Sequence, residues 1–154
     1  MARAPFQVVV FPFRVAGEHA YEYALFQRAD AGYWQGIAGG GQDDESAIEA
    51  ARREAYEEAG IPRRAPFYEL ESRACVPVTA FKGRETWDAE LLVIPEHCFG
   101  VEFAGPIHIS PEHSATMWLP YEECQRRLHW DSNKVALREL DERLRAARLN
   151  GPLP

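Results

Sequence analysis

Three carboxylates crowd one short stretch of this 154-residue chain: Glu54, Glu57 and Glu58, within GGGQDDESAIEAARREAYEEAGI at residues 39–61. Ser46 followed three residues later by Glu49 has the form of a capping box, and Gly60 suits a helix stop. The spacing therefore predicts a helix from residue 47 to about residue 59. At about 100° per residue, the three carboxylates fall within an arc of about 100°, beside an apolar stripe of Ile48, Ala51, Ala55 and Ala59. Arg53 stands four residues before Glu57 and can pair with it, while Arg52 points away. Unpaired carboxylates on one face repel one another by roughly a few tenths of a kcal/mol per pair, and by more when partly buried. A bound divalent cation would reverse the sign of that interaction.

A solvated acidic face is the plain alternative, and the wider spacing argues against it. Gly39 is followed by five residues and Glu45, then seven residues and Arg53-Glu54, two and Glu57-Glu58, one and Gly60-Ile61. With each type at roughly one residue in fifteen, the seven charged and glycine positions alone recur by chance with a probability on the order of 10⁻⁸ at a given start.

This arrangement resembles the Nudix box, the signature of hydrolases that cleave nucleoside diphosphates linked to another moiety. Every charged and glycine position of the pattern is met, with Ala38, Asp44 and Ala55 as mild departures. The resemblance implies that Glu54, Glu57 and Glu58 bind Mg²⁺, for which Mn²⁺ substitutes, that Gly39 offers its carbonyl to the metal, and that Arg53 orients Glu57 or Glu45. Hard oxygen ligands of this kind gather the cation that lets an acidic protein hold a polyphosphate. The glycines, Gly40 among them, let backbone approach metal or phosphate closely. Beyond the box, YWQGIAGG from Tyr33, EHSATMWL from Glu112 and WDSNKVALREL from Trp130 are similar to segments of the bacterial dihydroneopterin triphosphate pyrophosphohydrolases, which also accept dATP. By that likeness Glu112 completes the metal site or serves as general base, ahead of Glu96 in the other Pro-Glu-His. His113 orients Glu112 or caps a loop. Trp34 and Gln35 are candidates to stack on and hydrogen-bond a flat ring. Arg28 and Arg14 are candidates for phosphate contact. For Trp130, Ser132 and Asn133, helix capping is a sufficient explanation, and the same holds in general for a structural role of His19, His97, His108 and His129.

The elements that must position these groups are legible in outline. Residues 7–15 and 21–27 read as strands joined by a turn at AGEHA, and residues 33–38 as a short strand running into the glycines. A strand-like region follows at 67–81, broken by Pro77, then a strand at 86–94 and a short one at 116–119. A helix opens after Pro120, and a last helix starts near Asp131 or Ser132, carries Leu137, Leu140 and Leu144 on one face, and stops at Asn-Gly-Pro. The order implies one domain over residues 1–154, α/β or α+β, with a mixed β-sheet packed between α-helices, which is also the fold that the Nudix resemblance implies.

Composition narrows the function. The formal charge is -7, from 24 acidic and 17 basic residues, so no cationic excess exists to bind a nucleic-acid polymer. The apolar runs at 8–13 and 91–94 are far shorter than the roughly 20 residues that span a bilayer, and the N-terminus lacks the apolar core of a signal peptide, so a cytoplasmic, membrane-free protein is expected. Cys75, Cys98 and Cys124 form no Cys-x-x-Cys pair and read as reduced. The expected activity is Mg²⁺-dependent pyrophosphohydrolysis of a small-molecule nucleoside triphosphate-like substrate. Oxidised nucleotides, ADP-ribose and dinucleoside polyphosphates are alternative substrates, and a non-catalytic nucleotide sensor is the alternative from another class. A homodimer is common in the family.

Overall fold

The computed structural model describes residues 2–18 and 20–154; His19, in the expected first turn, lies outside them. Its strands are β1 (Arg3–Gly17), β2 (Ala20–Arg28), β3 (Trp34–Gln35), β4 (Ile37–Gln42), β5 (Phe67–Pro77), β6 (Val93–Glu102) and β7 (His113–Pro120), and its helices are α1 (Ala47–Ala59), α2 (Tyr121–Arg127) and α3 (Asp131–Arg145). All seven strands join one mixed sheet.

β1 organises that sheet. Val8, Val9, Val10, Phe11 and Phe13 are all buried, as a strand covered on both faces requires. Val8 and Val10 pack with Ala50, Ala51, Ala55 and Ala59 of α1, whereas Val9, Phe11 and Phe13 pack with Ala136, Leu137 and Leu140 of α3. One edge of β1 pairs in parallel with β6 from Gln7 to Phe13. The other edge is divided: β4 takes Gln7 to Val10, and β2 takes Phe13 to Gly17. The sheet thus lies between α1 and α3, the expected α/β arrangement, and it forks where β4 and β2 part.

α1 forms as its sequence dictates. Ser46 Oγ accepts from the Glu49 N–H, Glu49 accepts from the Ser46 N–H at 3.1 Å, and Gly60 closes the helix at φ 71°. Elsewhere tertiary pairing moved the boundaries. The strand expected at 86–94 instead begins at Val93 and runs to Glu102, because residues 96–102 are what pair with β1. Asp88 turns the preceding segment by accepting from the Glu90 N–H at 2.9 Å, and Leu92 is exposed. The strand expected at 33–38 divides into β3 and β4, and β4 carries the glycines within the sheet. β5 ends at Pro77 in a short 3₁₀ turn, and β7 is longer than expected. α3 ends at Arg145, short of Asn150-Gly151, because Ala147 turns left-handed at φ 52° and the Arg148 N–H closes on the Arg143 carbonyl at 2.7 Å.

Because the Ser46 cap fixes the start of the carboxylate helix, Ser46→Ala is expected to lower stability by about 1 kcal/mol in urea denaturation. An unchanged midpoint would show that packing alone sets the helix start.

Candidate active site

α1 lies across β4 and β1 and turns its alanines into the core, yet two residues on that buried face are carboxylates. Glu54 is 9% exposed and Glu58 is 3% exposed. Glu57, one step round the helix, keeps its side chain 51% exposed.

One guanidinium holds this region together. Arg53 donates from Nε to Glu45 Oε2 at 2.8 Å and from Nη2 to Glu45 Oε1 at 3.0 Å. Its Nη1 reaches Glu54 at 2.9 Å and Glu57 at 3.2 Å, and Nη2 also reaches the Gly40 carbonyl at 2.8 Å. Glu45 in turn accepts from the Gln42 N–H at 2.8 Å. The loop before the helix, the helix itself and β4 are therefore fixed by a planar fork whose geometry lysine does not offer.

Arg53 serves Glu45, Glu54 and Glu57, and leaves Glu58 without a cation. Burial pushes the Glu54 carboxyl up to about 7, against the opposing pull of Arg53. Burial first, then Glu112 and Glu54, push Glu58 up to about 11, and Glu58 Oε2 is buried with no hydrogen-bond partner. The backbone leaves room for this crowding at one residue: a Cβ on Gly39 would sit 2.1 Å from the Glu54 carboxyl carbon. Gly39 is a glycine because a carboxylate occupies its side-chain space.

A cleft of about 970 Å³ opens over the fork in the sheet. It brings together Gly39, Gly40, Glu54, Glu58 and Glu112 with Arg28 and Gln35. Trp34, Glu57 and Arg53 do not line it. Trp34 packs against the α3-side core and its carbonyl accepts from the His129 N–H at 3.1 Å. Arg28 is tied to Asp30 at 2.9 and 2.5 Å, and Arg14 lies away from the cleft, bound to Glu22 at 2.8 Å over the Trp118 ring. His113 is buried against Phe26 at the cleft wall, with Nδ1 unpartnered, and burial lowers its pKa.

Four further residues reach the cleft that sequence reasoning passed over or gave another part. Arg3 lies over the Phe81 ring at 4.7 Å and donates to Gln7 at 3.0 Å, while its Nε has no partner. Nothing in the first five residues marks it. Trp130 holds the N-cap position of α3 and its carbonyl accepts from the Lys134 N–H at 3.1 Å, but no side chain caps the helix, and Ser132 and Asn133 lie within its first turn. Trp130 Nε1 donates to Gln35 at 3.2 Å, and Asn133 Oδ1 accepts from the Gly36 N–H at 2.9 Å. Their side chains point at strands, and only the folded sheet supplies those partners.

Residues 5–140 match the NUDIX domain. A Listeria monocytogenes protein described as a Nudix hydrolase is 38% identical, with a TM-score of 0.85 over 96% of this chain and 99% of that one. The E. coli dihydroneopterin triphosphate pyrophosphohydrolase is 20% identical, with a TM-score of 0.72 over 92% and 97% of the two chains. The C. elegans Ap4A hydrolase is 18% identical, with a TM-score of 0.68 over 93% and 99%. At the two lower identities the likeness is one of fold. No curated protein matches the chain.

The chain belongs to the Nudix family. It is a Nudix hydrolase, acting on phosphoanhydride bonds, and the family works with divalent cations. The desolvated carboxylates of this Nudix chain fit such an ion. Among the described residues, no three His, Cys, Asp or Glu side chains already enclose a site. Glu54 and Glu58, with the orphaned Glu58 Oε2, instead suit a hard cation that takes most of its ligands from water and substrate oxygens. Among the described residues, no helix is long and apolar enough to cross a membrane.

The two raised carboxyls set a pH dependence for the metal-free Nudix protein. Both keep their protons in the folded state above the pH at which the unfolded chain, near 4.5, releases them. Their contribution to stability is full below pH 4.5 and is lost as pH rises, through about 7 for Glu54 and towards about 11 for Glu58. In chelator, the thermal midpoint is expected to fall between pH 5 and pH 8, by more than in the Glu58→Gln variant. Millimolar Mg²⁺ should flatten that slope, because the cation favours the ionised carboxylates. A midpoint indifferent to both pH and cation would contradict the burial argument.

Proposed function

We propose that this Nudix hydrolase is a Mg²⁺-dependent pyrophosphohydrolase that cleaves the α–β linkage of a nucleoside triphosphate-like substrate, releasing a monophosphate and pyrophosphate. The observation that supports it is the pair of desolvated carboxylates, Glu54 and Glu58, facing a cleft of nucleotide size beside glycine backbone. Glu54, Glu58 and the Gly39 carbonyl would hold the cation, with Glu57 and Glu112 as the further carboxylates at the edge of the set. When bound, the cation would supply charge neutralisation on the phosphoryl oxygens and lower the pKa of the attacking water.

The chain's own groups do the rest. Arg53 keeps Glu54 and Glu45 in place and holds Glu57 within reach. Glu112, exposed at the rim beside Glu58, takes the proton from the water as its oxygen attacks phosphorus. The phosphoanhydride bond breaks and its electron pair leaves with the departing phosphate oxygen. Gly40 backbone and Arg28, freed from Asp30, contact phosphate, and Gln35 meets the ring, with Trp34 fixing the strand behind it. The resemblance of residues 33–40, 112–119 and 130–140 to dihydroneopterin triphosphate pyrophosphohydrolases favours dATP or a pterin triphosphate as substrate.

The deciding measurement is pyrophosphate release from dATP, dihydroneopterin triphosphate, an oxidised nucleotide, ADP-ribose and a dinucleoside polyphosphate, with and without Mg²⁺. Wild type is expected to turn over a triphosphate fastest and only with the cation. Glu58→Gln should lower turnover by about 10²-fold or more, the scale set by losing one charge partner of a transition state. Its metal-free thermal midpoint at pH 7 should hold or rise, since a buried carboxyl is replaced by a neutral amide. Wild-type turnover in the variant would refute the assignment of the acidic pair.

A further inference from the structure

Glu96 stands apart from the α1 carboxylates, on β6, and the chemistry above gives it no task. It is 7% exposed, it lines the cleft, and its Oε1 is buried without a hydrogen-bond partner. Two amides that line the same cleft have their oxygens engaged elsewhere: Gln35 Oε1 accepts from Trp130, and Asn133 Oδ1 accepts from Gly36. A buried carboxylate with an open acceptor is expensive unless something arrives to donate to it. The Ser132 hydroxyl alone among side chains offsets the burial that raises its pKa.

Strand register places Glu96 relative to the phosphate end. Glu96 pairs with Gln7 of β1, and Gln7 pairs on its other side with Gly40 of β4. Paired residues share a face, so Glu96, Gln7 and Gly40 form one row across three strands. Two strand spacings separate its ends, about 10 Å. That row lies on the α3 side of the sheet, while Gly39, the next residue of β4, faces Glu54 on the α1 side. The cleft at the fork is lined from both sides, by Glu96 and Trp130 and by Glu54 and Glu58, so Glu96 lies where the far end of a substrate would fall once its phosphates meet α1.

We infer that Glu96, with Ser132 beside it, reads the substrate's heterocycle and selects an edge that presents a ring N–H next to an exocyclic amino group. That is the 2-amino-4-oxopyrimidine edge shared by guanine nucleotides and pterins. A carboxylate accepts through both oxygens and donates nothing, so it matches two adjacent donors. Adenine offers one amino donor beside a ring nitrogen lone pair, which would face carboxylate oxygen and repel it. The inference rests on the triphosphate reading above and narrows it, choosing the pterin-like or guanine-like substrate over dATP.

The test compares kcat/KM for dGTP, dITP, dATP and dihydroneopterin triphosphate in wild type and Glu96→Gln, with metal-free calorimetric binding of dGMP, dIMP and dAMP to both. Wild type should favour dGTP over dATP by about tenfold or more, with dITP, which lacks the amino group, between them. The amide of Glu96→Gln presents one donor and one acceptor, so the dGTP to dATP ratio should fall by at least about tenfold, chiefly through KM. The dihydroneopterin arm tells a pterin site from a purine site: a pterin kcat/KM far above that for dGTP assigns the former. Equal wild-type affinity for dGMP and dAMP, or an unchanged ratio in the variant, overturns the inference, and the wild-type binding arm decides even if the variant fails to fold. If the calorimetric preference holds but Mg²⁺ elicits no turnover from any triphosphate, the triphosphate reading fails and Glu96's selectivity stands.

Discussion

Everything at this site depends on burying two carboxylates on the face of a helix that also packs the core. Glu54 and Glu58 share α1's inner face with Ala50, Ala51, Ala55 and Ala59, so the helix cannot turn to free them without opening the sheet contact. The small alanines bring the helix axis close to β4, and Gly39 removes the one Cβ that would push Glu54 away. Arg53 offsets part of the electrostatic cost and leaves Glu58 uncompensated. Such a site holds protons on its buried carboxyls in the metal-free fold and would give them up when a cation binds, which couples ligand binding to pH and stability.

The cleft follows from the way β1 is shared. Because β6 covers one edge and β4 and β2 divide the other, the sheet forks beside the α1 carboxylates. Side chains from β1, β4 and β6, the loop around Glu112 and the start of α3 then face a common space. The Trp130–Gln35 and Gly36–Asn133 hydrogen bonds tie α3's N-terminus to the strands at the cleft wall.

Sequence periodicity served best where local interactions set the outcome. The bounds of α1 follow from Ser46, Glu49 and Gly60, which act within a turn of the chain. Periodicity served least where a strand's limits depend on its partner. Residues 86–94 read as a strand, but β1 pairs with 96–102, and the segment before Val93 turns at Asp88. The same dependence hid the roles of Ser132 and Asn133, whose residue types suit a cap but whose partners lie on β6 and β3–β4. Arg3 carries no local signal at all; its place over Phe81 is made by chain segments distant in sequence.

By itself the sequence determined the acidic helix, its caps, the family to which the box belongs and the mixed sheet with helices on both faces, because these rest on spacing along one chain segment. Tertiary structure decided which carboxylates are desolvated, that Glu57 stays outside the cleft while Glu58 is left without a cation, and that Glu96 joins the same cavity from another strand. Burial and charge compensation are properties of what surrounds a residue, and only folding brings those surroundings together.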